Sequence, residues 1–162
     1  MVWRPRILRK VPRTLTALTL AKLDDIDRIL PLVAAFHAER GIAQDDAARR
    51  AAIRPLLEGS PHGAIYIAGP VRAPIGYAAI SFGWSLEFGG LDGILDEIYI
   101  RPGVRRRGIG SEILLALPRA LGGAGLRALH LETSRDDAAL RAFYERMHFE
   151  PREDYILMSR KL

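Results

Sequence analysis

The sequence contains no cysteine, and no stretch of it is apolar for the length that a membrane-spanning helix requires. Without cysteine the chain has no disulfide, no thiolate nucleophile and no cysteine ligand for a metal. The four histidines share no metal-ligand spacing, so we expect no metal site. These absences favour a cytoplasmic protein whose 162 residues form a hydrophobic core without covalent cross-links.

Acidic residues are missing from residues 1–13, which we treat as a basic N-terminal extension. This segment carries five positive charges, equal to the whole formal net charge of +5, so the remainder of the chain is neutral. A neutral body argues against a nucleic-acid-binding module, although the extension keeps that alternative open. We expect one domain over residues 14–162, with no membrane partner.

The apolar periodicity of residues 14–162 switches between the spacing of strands and the spacing of helices. It predicts strands at 14–20, 64–68, 75–88, 92–100, 126–133 and 155–162, and helices at 21–40, 45–58, 109–121 and 137–147. We expect Pro31 to kink or restart its helix and Pro118 to kink or end its helix. The order of elements in the second half requires a right-handed crossover and a parallel strand pair, so the fold class is mixed α/β.

Three arginines and two glycines stand together in VRRRGIGSEI, residues 104–113, between a predicted strand and a predicted helix. Glycine lets the backbone close on a phosphate, and the first amides of a helix attract anions. The loop is not the dinucleotide fingerprint, because position 113 is isoleucine instead of a third glycine. From these residues alone, a simple turn, a nucleic-acid patch and a phosphate site all remain open.

The loop resembles the acetyl-CoA loop of the GNAT acetyltransferases, Gln/Arg-x-x-Gly-x-Gly/Ala, through Arg105, Gly108 and Gly110. The resemblance extends over residues 14–162 and includes the strands LDEIYI and ALHLET and the segment FYERMHF. It is closest to family members that acetylate small amines, such as spermidine/spermine acetyltransferases. It implies a mostly antiparallel central sheet with helices on both faces and a V-shaped splay between strands four and five. It also implies acetyl-CoA-dependent N-acetylation of a small cationic amine by direct transfer in a ternary complex.

The resemblance also assigns the residues that would bind acetyl-CoA. The pantetheine arm would lie on the backbone of strand four at Ile98, Tyr99 and Ile100. The pyrophosphate would bind the loop and the start of the next helix, at Arg105, Arg106, Arg107, Gly108, Ile109, Gly110 and Ser111. Asp137 stands where the family often has an asparagine that binds near the pantetheine, and its contact must differ because a carboxylate cannot donate.

For catalysis, the resemblance implies a general base on strand four and a general acid in the helix after strand five. The base would be Asp96 or Glu97, and the acid that protonates the departing thiolate would be Tyr144. Because side chains alternate along a strand, we expect only one of the two carboxylates to face the cleft, and the resemblance favours Asp96. Each could instead be a strand-end carboxylate paired with an arginine.

The acceptor groove is predicted from aromatic and acidic residues of the first helix and the first hairpin: Phe36, Glu39, Trp84 and Glu87. The same residues could instead pack in the core. Acetylation of a protein N-terminus or lysine is an alternative. A CoA-binding sensor without catalysis is another, because His148 stands where the family has a glycine. A homodimer is compatible with the resemblance, although no segment identifies an interface.

Overall fold

The computed structural model describes residues 16–162, so residues 1–13, predicted to be a basic extension, lie outside the described part. The chain divides into two compact units, one ending at Glu132 and the other comprising Thr133–Leu162. The first unit contains the sheet and three helices, and the second contains one helix. No helix among the described residues is long and apolar enough to cross a membrane.

The order of elements follows the predicted order up to the last helix. The strands are β1 (Leu18–Leu20), β2 (Gly63–Ala68), β3 (Gly76–Ser85), β4 (Gly90–Ile100) and β5 (Ala128–Leu131). The helices are α1 (Ile26–Arg40), α2 (Asp46–Leu57), α3 (Ile109–Gly123) and α4 (Ala138–Arg146). Local signals set the ends: Gly41 adopts φ 67° after α1, and the Asp45 side chain accepts a hydrogen bond from the Ala48 amide at the start of α2.

The five strands form one sheet in the order β1-β2-β3-β4-β5, antiparallel except for the parallel pair β4 and β5. Helix α3 makes the crossover that this parallel pair requires. Pairing between β4 and β5 covers only Asp92–Leu95 and Ala128–Leu131, whereas β4 continues to Ile100. The predicted splay between strands four and five is therefore confirmed, and it leaves the last part of β4 without a partner on the β5 side.

The two faces of the sheet bury alternate residues of each strand. Ile65, Ile67 and Tyr77 pack in one core cluster with the apolar sides of α1 and α2. Their neighbours Tyr66 and Ala78 are equally buried on the opposite face, as alternation requires. Ile113, Leu114 and Leu117 of α3 are buried too, and they lie outside the cluster of α1 and α2, which agrees with helices on both sides of the sheet.

Pro31 lies inside α1 and Pro118 inside α3, so neither proline ends its helix. A proline inside a helix removes one backbone hydrogen bond. At Pro31 the freed carbonyl belongs to Asp27, which is exposed to water, while the flanking Leu30 and Leu32 are buried in the core. Tertiary packing of the flanking residues therefore outweighs the lost bond.

The strand predicted at 155–162 is wrong, because these residues have no regular structure. Tyr155, Ile156, Leu157 and Met158 are 67%, 74%, 70% and 84% exposed. Their apolar, β-branched and aromatic character suggested a strand, but a strand forms only when its backbone pairs with a neighbour. The second unit contains no strand among its described residues that could pair with this segment.

Candidate active site

A cavity of about 320 Å³ opens between α1, α2 and the middle of the sheet, within the first unit. Seven of its lining residues are apolar: Val33, Ile42, Ala52, Ile53, Leu56, Ile65 and Ala79. Six are polar or charged: His37, Gln44, Arg49, Tyr77, Asp96 and Glu97. The cavity thus combines apolar walls with a cluster of titratable groups, which is the usual composition of a small-molecule site.

A β-bulge places two acidic side chains in this cavity. Ala79 lies opposite Glu97 and Ile80 lies opposite Leu95, so Asp96 is an extra residue on β4. A bulge interrupts the alternation of side chains and turns neighbouring residues toward the same side. Both Asp96 and Glu97 therefore line the cavity, and the expectation that only one of them could face the cleft was wrong.

The carboxylate of Glu97 is held by two buried side chains. Its Oε1 lies 2.8 Å from Nε2 of His37, and its Oε2 accepts a hydrogen bond of 2.5 Å from the hydroxyl of Tyr77. Burial and the neighbouring charge of Glu97 raise the pKa of Tyr77 far above its usual value, so this hydroxyl stays protonated and donates. Glu97 is consequently fixed at both oxygens.

Asp96 differs from Glu97 because it lies at the exposed rim of the cavity. Partial burial of its carboxyl raises the pKa of Asp96, the charge of Glu97 raises it further, and His37 opposes these effects. A carboxylate with a raised pKa is a stronger proton acceptor than an ordinary aspartate. Asp96 therefore combines a raised pKa with a position on the cavity, whereas Glu97 is held by two hydrogen bonds.

The arginine–glycine loop ends at the N-terminus of α3, as predicted. Gly108 is the N-cap residue with φ 81°, and Arg106 also has a positive φ of 63°. The first amides of a helix have no acceptor within the helix, and they include those of Ile109, Gly110 and Ser111. No described atom comes within 4 Å of the position that a Cβ would take at Gly108. The loop therefore combines amides that have no acceptor within the helix with open space at the Cβ position of Gly108.

The side chain of Arg105 does not point to that space. Its Nε donates to the carbonyl oxygen of Ile100 at 2.7 Å, and its Nη2 lies 2.7 Å and 2.9 Å from the two carboxylate oxygens of Glu39. Its guanidinium carbon also lies 5.4 Å from the centre of the Tyr99 ring. These contacts indicate that the Arg105 guanidinium supports the loop, while Arg106 and Arg107 are exposed cations. The predicted contact of Arg105 with a phosphate stays a prediction.

The predicted pantetheine-binding residues lie on the part of β4 that β5 leaves unpaired. Tyr99 is buried with its ring in the core, while Ile98 and Ile100 are half-buried. Their backbone is paired with β3 on one side only. The geometry thus leaves this part of β4 without a strand partner on the β5 side, directly beyond Asp96, although the carbonyl oxygen of Ile100 accepts from Arg105.

The predicted acceptor residues are not part of the cavity. Phe36 packs against the core and meets the Tyr77 ring edge-on at 6.4 Å, and Glu39 pairs with Arg105. Trp84, 68% exposed, and Glu87 lie at the far end of the β3–β4 hairpin. At about 3.4 Å per strand residue, Trp84 is roughly 17 Å along β3 from the cavity wall. These four residues therefore do not line the cavity beside Asp96, and their predicted role in an acceptor groove stays a prediction.

Three functional candidates were missed by the sequence analysis. Arg49 on α2 and Gln44 in the segment before it line the cavity. The arginines and alanines of this region are typical of a solvent-exposed helix, so nothing in the sequence indicated a site there. His37 was expected to have a surface or core-edge role, yet it contacts Glu97. The apolar spacing of α1, which places residues 29, 33 and 37 on one face, was the signal that could have found His37.

The second unit contains the remaining predicted residues. Asp137 is the N-cap of α4 and accepts a hydrogen bond from the Leu140 amide at 2.9 Å. Tyr144 is 8% exposed, with ring centres 5.6 Å from Phe143 and 6.0 Å from Phe149. His148 has φ 68° just after α4, which confirms that a non-glycine residue occupies a left-handed helix end.

Residues 30–149 match the Acetyltransferase (GNAT) family. The chain belongs to this family. As a GNAT acetyltransferase it uses acetyl-CoA to acetylate an amine, and the loop and the part of β4 without a β5 partner are consistent with that activity. No curated protein matches the chain.

Solved structures of other proteins share the fold of this GNAT acetyltransferase. An integron cassette protein from the mobile metagenome of Cole Harbour Salt Marsh is 29% identical, with a TM-score of 0.77 and 90% of both chains covered. The aminoglycoside N-acetyltransferase AAC(6')-Iy in complex with CoA is 21% identical, with a TM-score of 0.72 over 93% of this chain and 98% of the other. A ribosomal-protein-alanine N-acetyltransferase from Brucella melitensis is 18% identical, with a TM-score of 0.71 over 91% and 99%.

Proposed function

We propose that this GNAT acetyltransferase transfers the acetyl group of acetyl-CoA directly to the primary amine of a small molecule, with Asp96 as the general base. The observation that supports this most is the bulge of β4, which brings Asp96 and Glu97 into one cavity. The bulge lies next to Leu95, where the pairing of β4 with β5 ends. The cavity would therefore adjoin the edge of β4 on which the pantetheine would lie.

The cofactor would bind mainly through backbone groups. The amides of Gly108, Ile109, Gly110 and Ser111 would bind the pyrophosphate, helped by the positive end of the α3 dipole. Arg106 and Arg107 would add charge, while the pantetheine arm would bond the edge of β4 at Ile98–Ile100. Asp137 uses one carboxylate oxygen as a helix cap, so any contact with the pantetheine would involve its other oxygen.

The chemistry requires two proton transfers. The acceptor ammonium would give a proton to Asp96, directly or through one water, and its nitrogen would then attack the carbonyl carbon of the thioester. As the C–N bond forms and the C–S bond breaks, the departing thiolate would take a proton from the general acid, which the family resemblance assigns to Tyr144. The second proton of the acceptor nitrogen would pass through water to the Tyr144 phenolate, which restores the hydroxyl and leaves a neutral amide. The fixed charge of Glu97 would keep the pKa of Asp96 raised and so favour the first transfer.

The size and lining of the cavity favour a compact amine. A volume of about 320 Å³ with seven apolar lining residues suits an amine on a small, partly apolar body. Arg49 contributes a cation to the lining, which would disfavour a second positive charge on the acceptor. The acceptor that fits these properties best carries one amine and few other charges, so a polyamine of the spermidine type fits less well.

Two measurements test the proposal in sequence. Titration calorimetry with acetyl-CoA and with CoA should show saturable binding, and the absence of binding by folded protein would contradict the loop assignment. A turnover assay should then compare compact monoamines, amino acids, polyamines, aminoglycosides and peptides. Activity restricted to peptides would overturn the small-amine acceptor, and binding without turnover on any amine would favour a CoA-binding sensor.

A further inference from the structure

The three arginines of α2 differ in their surroundings. Arg50 and Arg54 pair with the exposed acidic residues Asp27 and Glu58, and the two arginine side chains are 42% and 56% exposed. The side chain of Arg49 is only 13% exposed. Burial of a charged group is costly unless partners compensate it, so Arg49 requires more compensation than the other two arginines.

Arg49 lies on the side of α2 that lines the cavity. Ala52, Ile53 and Leu56 follow it at helical spacing and line the same cavity. Arg49 is therefore the one charged residue on an otherwise apolar side of this helix, whereas Arg50 and Arg54 do not line the cavity. Its charge is available to a molecule that occupies the cavity.

The contacts of Arg49 leave part of its guanidinium without a partner. Nη1 lies 2.7 Å from Oδ1 of Asp46, whose side chain is 71% exposed, and Nε lies 3.4 Å from Nδ1 of His37. Nη2 has no hydrogen-bond acceptor among residues 16–162. A guanidinium has five N–H groups in a planar fork that fits a carboxylate. Arg49 can therefore bind a carboxylate through Nη2 while it keeps both existing contacts.

The cavity carries opposite charges at a short separation. Asp96 and Glu97 lie on β4, and His37 lies between Glu97 and Arg49. Nε2 of His37 is 2.8 Å from Oε1 of Glu97, and Nδ1 of the same ring is 3.4 Å from Nε of Arg49. Only one imidazole ring thus separates the cation from the nearer carboxylate. A small molecule with an ammonium and a carboxylate a few atoms apart would place each group beside its opposite charge.

We propose that the acceptor is a compact amino acid with an apolar side chain, whose carboxylate binds Arg49 while its amine lies beside Asp96. The proposal rests on the proposed function for the position of the amine. Ile53 and Leu56 of α2 would contact the apolar side chain. An acceptor without a carboxylate would leave the exposed Asp46 as the only anion paired with Arg49 among the described residues.

Matched acceptors test the carboxylate without any mutation. Leucine, leucinamide and 3-methylbutylamine share an apolar body and an amine, and only leucine carries a carboxylate. With acetyl-CoA saturating, kcat/KM should be at least about 10-fold higher for leucine than for the other two, as expected for a hydrogen bond between charged groups. The ammonium of leucinamide is more acidic, which by itself would favour leucinamide. Equal or lower kcat/KM for leucine overturns this proposal and leaves the proposed function in place.

Arg49→Met tests the residue that would bind the carboxylate. The ratio of kcat/KM for leucine to kcat/KM for leucinamide should fall about 10-fold or more. General effects on the site cancel in this ratio, because both acceptors use the same catalytic groups. Arg49→Lys keeps the charge without the fork and should retain part of the preference. Arg50→Met is the matched control, since Arg50 pairs with the exposed Asp27 and should leave the ratio unchanged. An unchanged ratio in Arg49→Met overturns the proposal.

A binding measurement separates this proposal from the proposed function. Calorimetry of the protein with leucine, in the presence and absence of CoA, should show saturable binding whose Kd rises about 10-fold or more in Arg49→Met. Such binding without turnover would leave the carboxylate site standing and contradict the proposed function. Turnover of 3-methylbutylamine without binding of leucine would contradict this proposal alone. Equal binding of leucine and leucinamide, or binding of neither by folded protein, overturns the proposal.

Discussion

The loop at residues 104–111 and the cavity beside Asp96 are built in different ways. The loop offers backbone amides from consecutive residues at the start of α3. The cavity is made of side chains from α1, α2, β2, β3 and β4 that lie up to about 60 positions apart in the chain, as His37 and Glu97 do. A backbone site needs only glycine and a helix end, whereas the cavity needs each of several distant side chains.

This difference indicates how each site should respond to mutation. A change in the loop should affect the binding of any CoA derivative, because the amides contact the part that all of them share. A change in the cavity should leave CoA binding intact and affect turnover or the choice of amine. The following predictions test this separation, beginning with the largest expected effect.

Gly108→Glu should abolish both CoA binding and activity. A carboxylate side chain would enter the open space at the helix start and repel the pyrophosphate, so we expect the Kd for CoA to rise at least about 100-fold. Gly89→Glu is the matched control, because Gly89 also has a positive φ of 68° and nothing within 4 Å. Calorimetry should measure the Kd for CoA of both variants, and thermal unfolding should show that both are folded. If Gly108→Glu binds CoA like the wild type, the loop is not the phosphate site.

Asp96→Asn should reduce kcat by about 100- to 10,000-fold and leave CoA binding unchanged. Since the pKa of Asp96 is raised and the base must be deprotonated, wild-type activity should fall on the acid side at a higher pH than for an ordinary aspartate. That acid limb should vanish in the variant. Asp92→Asn, on the same strand with its carboxylate 3.7 Å from His130, is the control and should keep full activity. Equal pH profiles for wild type and Asp96→Asn would remove Asp96 as the base.

Most of the fold could be predicted because its signals are local. Alternating and helical apolar spacings identified the elements up to α4, and the order of elements required the parallel pair. The final strand at 155–162 failed because strand formation depends on a partner, which the sequence of the segment does not specify. Local spacing likewise could not show that α1 continues through Pro31, since burial of the neighbouring residues decides whether the helix continues.

The candidate site was predictable in part. The loop was found because glycines before a helix are a local pattern, and Asp96 because the resemblance pointed to strand four. The shared orientation of Asp96 and Glu97 depends on a bulge that only the register with β3 reveals. The ion pair between Arg105 and Glu39 depends on tertiary contact between the loop and α1. The contact between Arg49 and His37 depends on packing of α2 against α1.

Tyr144→Phe should lower kcat by about 10- to 100-fold without changing CoA binding. The ring packing against Phe143 and Phe149 would be preserved, so a loss of activity would report the hydroxyl instead of the fold. Tyr155→Phe, at a ring that is 67% exposed, provides the control. Steady-state kinetics and thermal unfolding should be measured together. Unchanged kcat in Tyr144→Phe would exclude it as the general acid.

The smallest expected effect belongs to the two exposed cations of the loop. The double variant Arg106→Gln/Arg107→Gln should raise the Kd for CoA by about 3- to 10-fold, because exposed ion pairs contribute little and the amides would remain. The difference from wild type should shrink as salt increases, since the Debye length is only about 10 Å at 0.1 M. Arg119→Gln, exposed on the same helix α3, should leave the Kd unchanged. If Arg119→Gln weakens binding as much, the cations act through the overall charge of this face, and the amides alone define the phosphate site.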